Sequence, residues 1–157
     1  MIRRSTIADH DWITALSADV YGNLGDYASI IPAWLVHPGV LSYVDEHEGR
    51  RGFIILGFYE LADEPESRHV ADLLAIAVES RFRRQGVGRG LLHYAIKLAQ
   101  AAGLQRSVSE IRLTVPEGND IGRRLYASTG FHVLDQEHGA YDGGQRAIRM
   151  AKPLTAS

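Results

Sequence analysis

Residues 69–78, "HVADLLAIAV", hold eight apolar side chains in ten positions without alternation, and a glycine- and arginine-rich turn follows almost at once. A strand of this kind is buried on both faces, in the middle of a sheet with helices above and below. After the turn "RFRRQGVGRG" (81–90), the apolar positions Leu91, Leu92, Ala95, Ile96, Leu98, Ala99 and Ala102 trace one helical stripe from Gly88 to Ala102. Gly103 is the expected stop. Strand, glycine turn, helix is the geometry of an anion site: the first N–H groups of the helix have no partners and its dipole favours negative charge. Arg81, Arg83, Arg84 and Arg89 gather there although the chain carries a formal net charge of -2.

Two phosphate motifs are excluded. A P-loop ends in Gly-Lys-Ser/Thr, whereas Gly90 precedes Leu91-Leu92. A dinucleotide fingerprint starting at Gly86 needs glycine at 91, which is leucine. What fits is R-x-x-G-x-G, from Arg83 to Gly88. Glycines let the backbone approach phosphate oxygens closely. The helix dipole alone supplies only about 0.3–1 kcal/mol, so converging N–H groups and arginines must do the rest.

The remaining chain sorts into an ordered set of elements. "MIRRSTI" reads as a first strand. Asp9 or Asp11 caps a helix through about Ala18, residues 21–27 form a loop, and "DYASIIPAWLV" forms a second helix ended by Pro38-Gly39. "VLSYV" and "GFIILGFYEL" form a hairpin, and "ADEPES" is a surface turn. "EIRLTV" (110–115), a helix over about 119–129, a strand from Phe131 and a last strand "RAIRMAKPL" complete the chain. The order is β-α-α-β-β-β-α-β-α-β-β, an α/β fold with a mixed sheet, since the central hairpins are antiparallel.

With 157 residues, a single domain spanning 1–157 is expected. The chain has no cysteine, which excludes disulfides, thiolate metal sites and a cysteine nucleophile. The histidines show no metal-ligand spacing, so no metal is expected. No apolar run follows Arg3-Arg4 as an export signal requires, and none reaches membrane-span length, so a cytoplasmic protein without membrane or nucleic-acid partners is expected.

A second motif narrows the reading. "VPEGNDIGRRLYASTGF" (115–131) has the form V-x-x-x-N-x-x-small-x-x-L-Y-x-x-x-G-F. Together with "LAIAVESRFRRQGVGRGLL" it resembles the GNAT superfamily of acyl-CoA-dependent N-acyltransferases, nearest in motif to the branch that acetylates protein N-terminal amines. The resemblance implies a GNAT fold of about seven strands, a splay between the fourth and fifth, and acetyl-CoA as cosubstrate. It allows a homodimer.

The resemblance also implies residue roles. Backbone N–H groups of Arg84, Gln85, Gly86, Val87, Gly88 and Arg89 would cradle the coenzyme A pyrophosphate, with Arg83 and Gly90 flanking them. Ile76, Ala77 and Val78 would pair with the pantetheine arm, the Ile76 N–H reaching the acetyl carbonyl, where it stabilises the tetrahedral intermediate. Asn119 would contact the cofactor, or cap the next helix, or both. Gly122 stands where the family usually has alanine. Tyr126 matches the tyrosine that protonates the departing thiolate; the alternative is a packed core tyrosine. That transfer, from a pKa of about 10 to about 8.5, is uphill by ~2 kcal/mol unless the site lowers the phenol.

The base is the open question. The N-terminal-amine branch carries a glutamate five positions before the asparagine, and here that position is Thr114. The histone-acetyltransferase type uses a glutamate on the central strand, and the matching residue is Asp72. Its bland alternative is a strand-edge aspartate in an ion pair. Glu79 and Glu117 are further candidates, each also a solvated or capping group, and His132 lies near the slot or on the surface. Acceptor groups are expected from residues 19–27 and 135–145, with Asp26, Glu137 and Tyr141 placed to attract a cationic amine. Lack of cysteine and of a G-x-S-x-G elbow points to direct attack rather than an acyl-enzyme. Two other classes stay open: a non-catalytic acyl-CoA-binding module, and an RNA-binding patch on Arg81 to Arg89, which lacks interleaved aromatics.

Overall fold

The computed structural model describes residues 1–61, 68–106 and 108–154; "ADEPES" lies outside them. The elements are β1 (Ile2–Arg4), α1 (Ile7–Tyr21), α2 (Tyr27–Leu35), β2 (Val40–Glu46), β3 (Arg50–Leu61) and β4 (Arg68–Val78). A 3-10 turn (Ser80–Phe82) leads to α3 (Val87–Arg106), β5 (Val108–Pro116), α4 (Asp120–Ser128), β6 (His132–Asp135) and β7 (Ala147–Pro153). Seven strands form one mixed sheet in the order β1-β2-β3-β4-β5-β7-β6, with β4 and β5 its parallel pair. The expected element order and mixed α/β class therefore hold.

Helices cover both faces. Leu91, Leu92, Ala95 and Ala99 of α3 pack with Ile54, Leu56, Leu73, Ile111 and Leu113 on one side. Ile13, Leu16 and Ile31 pack on Val44, Phe53 and Ile55 on the other. Continuous apolarity of β4 follows from this double burial. Gly52 permits the contact of α3 with β3, because a Cβ there would lie 2.8 Å from the Ala77 carbonyl and 3.2 Å from Leu91 and Val87.

Two helix ends differ from expectation. Thr6, not Asp9 or Asp11, is the N-cap of α1, and its N–H donates to Asp9 Oδ2 at 2.8 Å. Asp9 is buried as the hub of an ion-pair cluster, accepting two bonds from Arg3 at 2.8 and 2.9 Å and one from Arg50 at 2.8 Å. Helix α3 continues through Gly103 to Arg106. Gly103 serves packing rather than termination: a Cβ there would come within 2.9 Å of the Val108 carbonyl.

Candidate active site

A parting of β4 from β5 creates the site. Their pairing runs from His69↔Val108 to Leu73↔Leu113 and then stops. Beyond it, β4 stays on β3 as far as Val78 while β5 stays on β7 as far as Pro116. The cause lies in β4, where the register against β3 shifts so that Leu56 opposes Leu73 but Ile55 opposes Ala75. The extra residue, Leu74, is a bulge, which bends a strand away from its partner. It also resets alternation: Leu73 and Ile76 pack toward α3, while Leu74 and Ala75 both pack toward α1 and α2. This is the splay anticipated between the fourth and fifth strands.

Ile76 lines that slot. Its N–H donates to the Tyr21 hydroxyl at 3.0 Å, and the same hydroxyl donates to the Ile76 carbonyl. Both polar groups of Ile76 therefore point off β3 into the slot. Tyr21 was not singled out in the sequence. Its ring stacks on Tyr27 at 5.1 Å, and burial pushes its pKa up to about 12.

The glycine turn lies just past β4. The Phe82 and Arg83 N–H groups of the turn donate to the Glu79 and Ser80 carbonyls at 2.9 and 3.4 Å, and among the described residues the next amide with a backbone acceptor is Gly90, which donates to Gly86 at 3.0 Å. The amides of 84 through 89 have none, which makes six consecutive donors. Arg84 (φ 65°) and Gly86 (φ 82°) take left-handed conformations, so the chain curls these N–H groups into a concavity. Val87 turns its side chain into the core and pins the turn. No protein atom lies within 4 Å of a Cβ built on Gly86 or Gly90, so the outer side is open to a ligand. The Arg81, Arg83, Arg84 and Arg89 side chains are exposed along the rim, and Arg83 Nε also reaches the Val78 carbonyl at 3.3 Å. These residues fit a diphosphate.

At the far mouth of the slot is a cavity of about 350 Å³, lined by Tyr21, Leu24, Pro116, Asn119 and Gln145 among others. The expected acceptor walls meet over it. Gln145 Nε2 donates to the Asn23 carbonyl at 2.9 Å, and the Gly143 N–H donates to Leu24 at 3.0 Å. Gly143 is required for this docking, since a Cβ would collide with the Asn23 carbonyl.

Asn119 is the N-cap of α4, its Oδ1 accepting from Gly122 at 3.0 Å. A Cβ at Gly122 would lie 2.7 Å from Asn119 Nδ2, so glycine accommodates the capping side chain. Tyr126, on α4, is buried, packs edge-on against Phe131 at 6.0 Å, and its hydroxyl has no hydrogen-bond partner among the described residues. Burial, then the neighbouring Tyr21 and Tyr141 phenols, push its pKa well above the usual value. The site raises this phenol rather than lowering it, which makes proton transfer from Tyr126 more uphill than from a free tyrosine. Tyr141 is raised likewise, by burial first.

Asp72 lies in the interior of the sheet, opposite Gly57 on β3 and Arg112 on β5, not at a strand edge. No cation stands within ion-pair distance of it among the described residues; Arg112 is bonded to Glu110 at 2.7 Å. Burial raises the Asp72 pKa, and Arg149, Arg112 and His138 pull it partly back.

The other candidates are held by partners or exposed. Glu79 accepts from the Trp12 indole at 2.7 Å. Glu117 pairs with Arg146 at 3.8 Å on the surface, and His132 is exposed on edge strand β6. Asp26 is the exposed N-cap of α2, and Glu137 is exposed in the loop after β6. Asp142, unremarked in the sequence, lies beside Gly25, 3.4 Å from a Cβ built there. Among the described residues no three His, Asp or Glu side chains group as metal ligands.

Comparison with known proteins follows the same lines. The [Ribosomal protein bS18]-alanine N-acetyltransferase of Escherichia coli K12 is 35% identical over 88 residues, 54% of this chain and 57% of that one. The N-alpha-acetyltransferase of Sulfurisphaera tokodaii is 30% identical over 98 residues, 62% of this chain and 57% of that one. The match thus spans little more than half the length of these relatives. Arabidopsis thaliana NAA60 in complex with acetyl-CoA superposes with a TM-score of 0.83 over 99% of both chains at 13% identity, a likeness of fold. The Brucella melitensis ribosomal-protein-alanine N-acetyltransferase gives 0.76 over 98% of this chain and 99% of that one, at 24% identity. Residues 9–131 match the family model described as "Acetyltransferase (GNAT) family", and the chain belongs to that family.

Proposed function

We propose that the chain is a cytoplasmic N-acetyltransferase that moves an acetyl group from acetyl-CoA to a primary amine by direct attack in a ternary complex. The observation that carries this is the alignment of two donor sets. Six unpaired amides at 84–89 would hold the diphosphate, and one strand upstream the Ile76 N–H faces the slot where the thioester carbonyl would lie. Ile76, Ala77 and Val78 offer the arm of the cofactor a strand edge that β5 has left, as in strand addition.

In the reaction the amine nitrogen attacks the thioester carbon, negative charge develops on its oxygen, and the Ile76 N–H stabilises that charge. The C–S bond then breaks. Tyr126 donates a hydrogen bond to the sulfur that leaves, and Asp72 takes the proton shed by the amine through a chain of waters, since it lies four residues from Ile76, roughly 13 Å along a straight strand. Such a distant, single carboxylate favours a weakly basic acceptor. At neutral pH an α-amine loses its proton for about 1–1.5 kcal/mol, a lysine amine for ~4–5. The names of the relatives favour the same choice, so a protein or peptide α-amine is the proposed acceptor.

The test is thiol release from acetyl-CoA across a panel of short peptides differing in their first residue, with lysine amides and polyamines alongside. Peptide α-amines are expected to turn over fastest, and Tyr126→Phe to lower kcat ~10-fold or more with little change in coenzyme A affinity. Coenzyme A uptake with no thiol release from any amine would instead identify a non-catalytic acyl-CoA-binding module.

A further inference from the structure

We infer that Tyr21 is a positioning residue whose hydroxyl exchanges partners when the acyl group arrives, which frees its oxygen to hold the amine. The inference rests on the acyl-transfer reading of the slot. In the free chain the Tyr21 hydroxyl holds both groups that β5 would have paired had the strands stayed together: it accepts from the Ile76 N–H at 3.0 Å and donates to the Ile76 carbonyl. An acyl carbonyl placed on the Ile76 N–H needs the same hydrogen. It therefore displaces the phenol oxygen as acceptor, while the phenol proton stays on the Ile76 carbonyl.

The displaced oxygen then has a free lone pair at the edge of the 350 Å³ cavity. With Tyr21 locked on Ile76 the amine finds this oxygen occupied; with the acyl carbonyl in place it finds an acceptor in a fixed relation to the carbon it attacks. Tyr21 stays protonated at neutral pH, because burial holds its pKa at about 12, so it acts as a dipole and removes no proton.

Free coenzyme A, which has no acyl carbonyl, separates this from a merely structural role. Titrations of acetyl-CoA and of coenzyme A into the wild-type chain and Tyr21→Phe give four dissociation constants. The expected result is that Tyr21→Phe binds acetyl-CoA roughly three- to tenfold more tightly, the worth of one released competing hydrogen bond, and binds coenzyme A unchanged. The KM of the best acceptor in the peptide panel rises about tenfold in Tyr21→Phe. Equal weakening of both cofactors, or an unchanged amine KM, overturns the proposal. Absence of coenzyme A binding in the wild type overturns the acyl-site reading itself and this inference with it. Without any variant, the Ile76 amide resonance of the wild-type chain is expected to shift on adding acetyl-CoA beyond its shift with coenzyme A; identical shifts overturn the exchange.

Discussion

The indole N–H of Trp12 donates to the Glu79 carboxylate at 2.7 Å, tying α1 to the residue that joins β4 to the glycine turn. The Glu79 N–H is held as well, by the Arg51 carbonyl at 2.8 Å. A carboxylate fixed in this way helps position the turn, and in the proposed reaction the proton of the amine goes to Asp72. Glu79→Gln keeps an oxygen for the indole, so kcat should stay within about twofold of wild type. Glu79→Ala leaves the Trp12 N–H unpaired, which should lower stability by ~1–2 kcal/mol in denaturant unfolding and weaken coenzyme A binding.

Asp9 anchors the other end of α1. Its carboxylate is 1% exposed and bonded to Arg3, Arg50 and the Thr6 N–H, with the Arg3 bonds the largest cause of a pKa far below the usual range. Its folded pKa is depressed, so its contribution is fully present above the unfolded value near 3.9 and is lost as pH falls below it. Asp9→Asn should cost about 3 kcal/mol at pH 7, the low end for a broken buried pair because both arginines remain partly solvated. The gap between wild-type and variant melting temperatures should narrow as pH is lowered from 5 to 3.

Asp72 has the opposite sign. Burial raises its folded pKa above the unfolded one, against the pull of Arg149, Arg112 and His138. The folded chain then holds the proton more tightly, so ionisation costs stability once pH rises through the folded pKa, and the cost is absent below the unfolded value near 3.9. Asp72→Asn should therefore melt higher than wild type at pH 7, with the gain vanishing toward pH 4. As the proposed base, the same substitution should lower kcat by about 100-fold or more and remove the acid limb of its pH profile. A variant that is both stabilised and inactive would mark Asp72 as functional rather than structural.

Gly86 and Gly90 separate backbone strain from space. Neither Cβ would meet a protein atom within 4 Å, but only Gly86 has positive φ, at 82°. Gly86→Ala should cost ~1–2 kcal/mol and weaken coenzyme A binding, as a left-handed residue with a side chain is strained and the amide row shifts. Gly90→Ala, in the first turn of α3, should raise stability by up to about 1 kcal/mol. Thermal unfolding of the two variants side by side checks both signs.

Much of this was readable from residue order. A strand buried on both faces announces itself as an unbroken apolar run. A turn that must present bare amides announces itself as R-x-x-G-x-G before a helical stripe. An N-cap is one of the readings open to Asn119 from its place at the head of a helix, and its side chain does cap α4. These signals are local: allowed φ/ψ, periodicity and capping act over a few residues, so neighbours in the chain carry them.

What escaped the sequence depends on approach between distant residues. Thr6 caps α1 because Arg3 and Arg50 claim Asp9, and α3 overruns Gly103 because the start of β5 presses on it. Tyr21 and Ile76 stand 55 residues apart, and nothing in "VYGN" says that its tyrosine will satisfy a strand edge opened by the bulge at Leu74. The phenol, the bare amide and the cavity beside them meet only because α1 packs across β4 where β5 has left it. Hydrogen bonds of that kind are set by packing between layers, and packing is decided once the whole chain has closed.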